Sequence, residues 1–375
     1  MDVRRVLNNI FRSADWPAFA AVWVLVLIGL AAIYSVALSQ HGSDLLNVKK
    51  QALALGIGAV AYFAAARANY RLLRSYAWVL YGAGNLLLAA VLILGSTVRG
   101  TTGWFVFGAF SFQPVEPMKL ILAVTLAAFF AARAGKAFHI RDLLGSGLIA
   151  GLPVLLTLMQ PDLGSAAILL GIWGIMLLFA GVPKRLLAAM AGVGAAAIYG
   201  AWTFQFQPYQ KARILTFLDP YADPLGEGYN VIQAIIAVGS GGWFGRGLGF
   251  GSQSQLKFLP ESQTDFIFAV IAEELGFVGV ALTLGLWLLI LLRLLRQARR
   301  ATDGFAAYLL VGIAASFLLQ VLVHAGMNLG VLPVTGLGLP LVSYGGSSLV
   351  FTLLMLGAAE SVARASVRGR AAVLE

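Results

Sequence analysis

The chain has 375 residues, 60% of them hydrophobic and only 11% charged, with a net charge of +10 and no cysteine. Its mean hydropathy is +0.86. Soluble domains carry about a quarter charged residues, so this composition excludes a soluble globular chain and points to an all-α polytopic membrane protein. Without cysteine, disulfides, thiolate catalysis and cysteine-based metal sites are excluded too.

Apolar runs of membrane length fall at 17–38, 51–66, 75–95, 117–134, 143–159, 164–182, 186–204, 264–292, 304–330 and 341–362. They predict about ten transmembrane helices in a single integral-membrane domain covering 1–375. The first run follows Arg4, Arg5 and Arg12 with no small-residue cleavage site after it, so it reads as a retained signal anchor. Arginine and lysine alternate sharply between the two sides. Starting inside, one side holds Arg67, Arg71, Arg74, Arg133, Lys136, Arg141, Lys184, Arg185 and the arginines at 293–300 and 364–370. The other side holds only Lys49, Lys50, Arg99, Lys211, Arg213, Arg246 and Lys257. Both termini are therefore expected in the cytoplasm. Anionic lipid at the inner leaflet accounts for most of the positive balance, which leaves nothing for nucleic acid.

On the outer side, a loop at about 96–116 leads to Glu116 and Lys119, three apart on one helix face. They form either a structural ion pair or a site where Lys119 offers positive charge to an anionic ligand. Gln160 to Gly164 make a short turn in which Asp162 either caps the next helix or belongs to a site. The large outer loop, about 204–263, carries Lys211, Arg213 and the glycine-rich stretch from Gly239 to Gly251 with Arg246 inside it. Those glycines read either as flexibility at the membrane surface or as a phosphate nest. Tyr229 to Val238 reads as a short interfacial helix.

The most informative stretch is Leu259 to Asp265, which runs into an apolar segment carrying Glu273 and Glu274. Acids inside or at the edge of a membrane are costly and mark sites. Glu273 follows Asp265 by about 80° on a helical wheel, and Glu274 by about another 100°. Asp265 is either a helix N-cap or a carboxylate suited to general-base work, with Glu261 beside it. The last two runs are joined by a segment dense in glycine, proline and hydroxyls, from Gly326 to Ser348. Ser343 and Ser347 are its candidates for lining a cavity, with tight small-residue packing as the alternative.

Four of these segments resemble, in order, the motifs of the SEDS family of cell-wall proteins, the RodA, FtsW and SpoVE group. They are Phe112 to Lys119 (FQPVEPMK), Gln160 to Ala166 (QPDLGSA), Phe258 to Gly276 (FLPESQTDFIFAVIAEELG) and Leu332 to Ser348 (LPVTGLGLPLVSYGGSS). The resemblance covers essentially the whole chain. It implies a peptidoglycan glycosyltransferase in the bacterial cytoplasmic (inner) membrane, polymerising lipid II at the outer face. Asp265, the acid of the Thr-Asp-Phe motif, would be the general base of an inverting reaction. Glu116, Lys119 and Asp162 match motif positions near the same cavity. The charge of the leaving pyrophosphate would be balanced by Lys119, Lys211, Arg213 or Arg246, or by a divalent cation such as magnesium or manganese. The implied partner is a class B penicillin-binding protein, a transpeptidase, and the short tail and loops look most like the elongation-type branch, RodA. Departures are Gly103, Val115, Ala234 and His324, where Arg, Ser, Ser and Asn are expected. They bear on pyrophosphate binding and leave Thr264-Asp265-Phe266 intact. Two rival readings are a lipid II flippase driven through Glu273 and Glu274, and a non-catalytic scaffold, which needs no acid at position 265.

Overall fold

The computed structural model describes residues 15–38, 45–98, 100–108, 110–204, 211, 215–224, 226 and 228–374. All ten expected helices are present among them: α1 Trp16–Leu38, α2 Leu46–Arg67, α4 Ala77–Leu94, α5 Val115–Ala131, α6 Ile140–Leu158, α7 Leu163–Phe179, α8 Lys184–Phe204, α11 Ile267–Arg300, α12 Gly304–Asn328 and α13 Gly346–Leu374. Three shorter helices lie between them: α3 Arg71–Ser75, α9 Tyr229–Ser240 and α10 Ser252–Gln255. By length and composition α1, α4, α6, α11, α12 and the Gly346–Ser366 part of α13 are able to cross a membrane.

Helices α5 and α12 form the centre of the bundle. Nearly every residue of α5 from Val115 to Phe130 is buried, and α12 packs on α5, α7 and α11. Close approach depends on small residues where two helices cross: a Cβ at Gly312 would meet the Ala123 Cβ at 2.7 Å. The pairing of α2 with α13 works the same way, Gly357 lying against the Tyr62 carbonyl. The outer helices α4 and α6 instead turn bare apolar side chains outward, Ile93 at 84% and Leu148 at 76% exposure. In lipid such faces cost nothing, which is why the helical runs carry no polar stripe.

The expected loop at 96–116 is a correction. It contains an antiparallel three-stranded sheet, β1 Ser96–Val98, β2 Thr101–Phe107 and β3 Phe110–Phe112. Ser96 pairs with Trp104, and Phe105 with Phe112. Threonines and aromatics supply the strands, and the left-handed turns fall at Gly100 (φ +80) and Gly108 (φ +58).

The glycine-rich stretch also has a specific structural task. Helix α11 breaks at Gly276 (φ 65, ψ −164), a conformation open only to glycine. The break leaves two carbonyls and two N–H groups without their usual partners at i±4. Residues 242–247 splice into the gap. Phe277 N–H donates to Gly242 O (2.8 Å) and Val278 N–H to Trp243 O (3.1 Å), while Arg246 N–H donates to Glu273 O (3.0 Å) and Gly247 N–H to Glu274 O (2.9 Å). A Cβ at Gly245 (φ +77) would lie 2.2 Å from Glu274 O. Backbone-on-backbone packing explains two of these glycines, Gly245 and also Gly241, where a Cβ would lie 1.8 Å from Ala272 O.

Candidate functional site

Asp265 sits just before α11, whose cap position is Phe266 with no capping bond from that side chain. A turn built on the Glu261 carbonyl (φ 51) collects the N–H groups of Thr264, Asp265 and Phe266. Three successive carbonyls are then held from other parts of the chain. Gln263 O accepts from Tyr344 N–H (2.8 Å), Thr264 O from Ser343 Oγ (2.7 Å) and Asp265 O from Asn328 Nδ2 (3.0 Å). Beneath them lies a small apolar cluster of Val36, Ala234, Ala237, Leu259, Phe266, Ala269 and Val270, to which α9 contributes its buried face. The Asp265 main chain is thus fixed on both of its polar groups while its half-buried side chain lines a cavity.

The facing wall comes from β1 and β2, Gln113, α5 and the turn before α7. Asp162 caps α7, accepting from Ser165 N–H (2.9 Å) and Ser165 Oγ (2.6 Å), and it also accepts from Gln113 Nε2 (3.4 Å). Asp162 thus caps a helix and also lines the cavity. Burial pushes its carboxyl above the ordinary value, opposed by the Ser165 hydrogen bonds and the Lys119 charge. Behind it Lys119 is buried, donating to Glu116 Oε1 (2.8 Å) and Gln320 Oε1 (2.9 Å).

The cavity has a volume of about 340 Å³ and joins all four sequence motifs. Gln113 and Glu116 come from the first, Asp162 and Ser165 from the second, Glu261, Thr264 and Asp265 from the third, and Thr335 to Gly338 with Ser343 to Ser348 from the fourth. Thr216 and Asn230 add polar groups from the large loop. Acid and hydroxyl oxygens share the wall with apolar side chains including Val98, Trp104, Phe217 and Val231, and the oxygens suit a polyhydroxylated ligand.

Several expected site residues are placed otherwise. Lys119 does not line the cavity; it is the buried partner of Glu116. Arg246 lies outside it, its guanidinium on Ser240 O (3.4 Å) and Ser252 Oγ (3.1 Å). Lys211 sits over the Trp202 ring, 5.7 Å from its centroid. Arg213 falls outside the described residues. Among the described residues the cavity wall contains no lysine or arginine. Glu261, Ser343 and Ser347 do line it, but the hydroxyls also carry structure: Ser343 Oγ accepts from Leu339 N–H (2.8 Å) and Ser347 Oγ from Gln113 N–H (3.4 Å).

Glu273 and Glu274 lie away from the cavity, and both are buried. Glu273 accepts from the N–H groups of Gln253 (2.8 Å) and Ser254 (3.1 Å), and Glu274 from Ser35 Oγ (2.7 Å), Ser254 Oγ (3.2 Å) and Gln255 Nε2 (3.2 Å). They fasten α10 and the spliced segment to α11 rather than line a passage.

Sequence reasoning missed Gln113, Ser165, Gln320 and Asn328. The first two stood inside quoted motifs. Gln320 and Asn328 are amides in or ending an otherwise apolar helix, a pattern that itself signals a buried polar contact.

The family model described as cell cycle protein, FtsW/RodA/SpoVE, matches residues 16–367. A probable peptidoglycan glycosyltransferase FtsW of Thioalkalivibrio sp. is 37% identical, over 94% of this chain and 90% of its own. Peptidoglycan glycosyltransferase MrdB of Escherichia coli is 38% identical, over 90% of this chain and 92% of its own. Stage V sporulation protein E of Bacillus subtilis is 36% identical, over 94% and 98%. Among solved structures, a chain from a peptidoglycan synthase complex that coordinates polymerization and crosslinking superposes with a TM-score of 0.79 at 37% identity, covering 94% of this chain and 98% of that one. The rod shape determining protein RodA of Thermus thermophilus superposes at 0.71 with 34% identity, covering 94% and 97%. With the helix count, the order of the four motifs and their convergence on one cavity, the chain belongs to the FtsW/RodA/SpoVE family, the SEDS proteins, and is a multi-pass membrane protein of that fold.

Proposed function

We propose that this chain is a peptidoglycan glycosyltransferase that polymerises lipid II in the cavity described above, with Asp265 as general base. The observation that carries the reading is the convergence of four distant motifs on one polar cavity with the Asp265 carboxylate in its wall. In the reaction, Asp265 takes the proton of the acceptor sugar's 4-hydroxyl. The freed oxygen pair attacks the anomeric carbon of the donor and forms the new glycosidic bond with inversion. The bond to the pyrophosphate breaks, and undecaprenyl pyrophosphate leaves with the electron pair. Glu116 and Asp162 face the sugars as acceptors, and the charge of Glu116 is balanced from behind by Lys119.

The leaving pyrophosphate needs positive charge. Arg213 stands three residues before the cavity residue Thr216 in the sequence and is our candidate. A magnesium or manganese ion is the other source, arriving with the pyrophosphate. Among the described residues no group of three or more acids or histidines is placed to hold such an ion. The arginine asymmetry supports cytoplasmic termini, and with them a cavity that opens on the outer face of the bacterial cytoplasmic membrane. We assign the chain to cell elongation on its short loops. Its partner would be a class B penicillin-binding protein whose membrane anchor meets a bare apolar helix face.

The test is purified protein with labelled lipid II in liposomes, with and without the transpeptidase, and with Asp265→Ala alongside. Polymer from the wild type and none from the variant supports the reading. Polymer from a well-folded Asp265→Ala protein removes the general base. Wild-type protein that moves lipid II across the bilayer without polymer would favour the flippase.

A further inference from the structure

We infer that Asn328, the last residue of α12, is the positioning residue that sets the Asp265 carboxylate, an inference that rests on the general-base reading above. Helix α11 has no side-chain cap of its own. The first N–H groups of any helix have no partner within it and require one from elsewhere when buried. Asn328 supplies it from the neighbouring helix. Its Oδ1 accepts from Ala269 N–H (3.2 Å) in the first turn of α11, and its Nδ2 donates to Asp265 O (3.0 Å) and to His324 O (2.8 Å) one turn back in α12. The amide is fully buried, and its oxygen and both of its protons are used. No other residue type of this size offers one acceptor and two donors in a plane.

The same face of α12 holds the opposite side of Asp265. His324, four residues earlier, binds Leu337 O through Nδ1 (2.7 Å). Leu337 follows Gly336 (φ +70), where a Cβ would lie 4.0 Å from Asp265 Oδ2. Asn328 therefore fixes the main chain that carries the carboxylate, and His324 fixes the loop that walls it. Asn328 does not line the cavity that Asp265 faces, so its route to the reacting groups runs through the Asp265 main chain. A misplacement of about 1 Å in a reacting group costs about 100-fold in rate.

The experiment measures lipid II polymerisation by Asn328→Ala, Asp265→Asn and the double variant, with thermal unfolding of each in detergent. Asn328→Ala is expected to lower kcat about 100-fold with KM for lipid II close to wild type, because substrate contacts are untouched. The double variant is expected to match Asp265→Asn alone. Should Asn328→Ala fail to fold, Asn328→Ser is read in its place, since a serine hydroxyl still bonds back to His324 O and spares the helix. Wild-type kcat in a folded variant, a loss carried by KM, or a further loss on top of Asp265→Asn would overturn the positioning role. Wild-type activity of Asp265→Asn would instead sink the general-base reading itself, a separate result.

Discussion

Three acids lie within ten residues at the start of α11, and their surroundings could hardly differ more. Glu273 and Glu274 are buried; both Glu273 oxygens and Glu274 Oε1 are taken up by backbone and side-chain donors of residues 252–255 and Ser35, while Glu274 Oε2 has no hydrogen-bond partner among the described residues. Asp265 is half-buried, its main chain held at both of its polar groups and its carboxylate in the wall of the cavity. An acid at membrane depth is thus not by itself a mark of chemistry. What separates the two cases is whether the carboxylate closes the protein's own backbone or faces a space that a ligand fills.

The comparison breaks most sharply on activity. Asp265→Ala should lower polymerisation by about 10²–10⁴-fold, the usual worth of a general base, with the unfolding temperature unchanged. Glu116 stands between the classes, lining the cavity yet paired. Removing its partner by Lys119→Ala leaves a buried charge uncompensated and should cost about 3–5 kcal/mol, read by unfolding in detergent. Glu273→Ala should act on stability before activity, about 1–3 kcal/mol for each buried donor left without an acceptor, with faster proteolysis near residues 241–255. If Glu273→Ala kept full stability but stopped polymerisation, the contrast drawn here would fail.

The smallest effect is a pH dependence at Asp162. Its folded-state carboxyl is raised by burial, so the folded protein holds that proton more tightly than the unfolded chain. The folded state is therefore favoured below the unfolded value, and that advantage fades as pH rises through the folded one. Asp162→Asn abolishes the titration. The variant's unfolding temperature, relative to wild type, should rise between pH 3.5 and pH 7, and a flat difference would contradict the raised value.

Much of the site was readable along the chain. Asp265, Glu116 and Asp162 stood out as polar residues at the ends of apolar runs, and all three line the cavity. Lys119 and Arg246 lie off the cavity wall because a positive charge near an outer loop says nothing about which way it turns. Lys119 turned inward to Glu116 and Gln320, and Arg246 was drawn to Ser240 and Ser252 by the splice at Gly276. The sheet at 96–112 was overlooked although its threonines, aromatics and glycine turns are a strand pattern. Its strands are too short to stand out beside membrane helices.

Sequence alone determined the membrane class, the ten helices and the motifs, because transfer of side chains into lipid is summed residue by residue and needs no knowledge of neighbours. Tertiary structure decided which polar groups became chemistry and which became fastening. Lys119 meets Gln320 across 201 residues, Ser35 meets Glu274 across 239, and Asn328 reaches back 63 residues to the carbonyl of Asp265. Where water is absent a buried donor left without an acceptor is costly, and only the packed bundle determines which acceptor it meets.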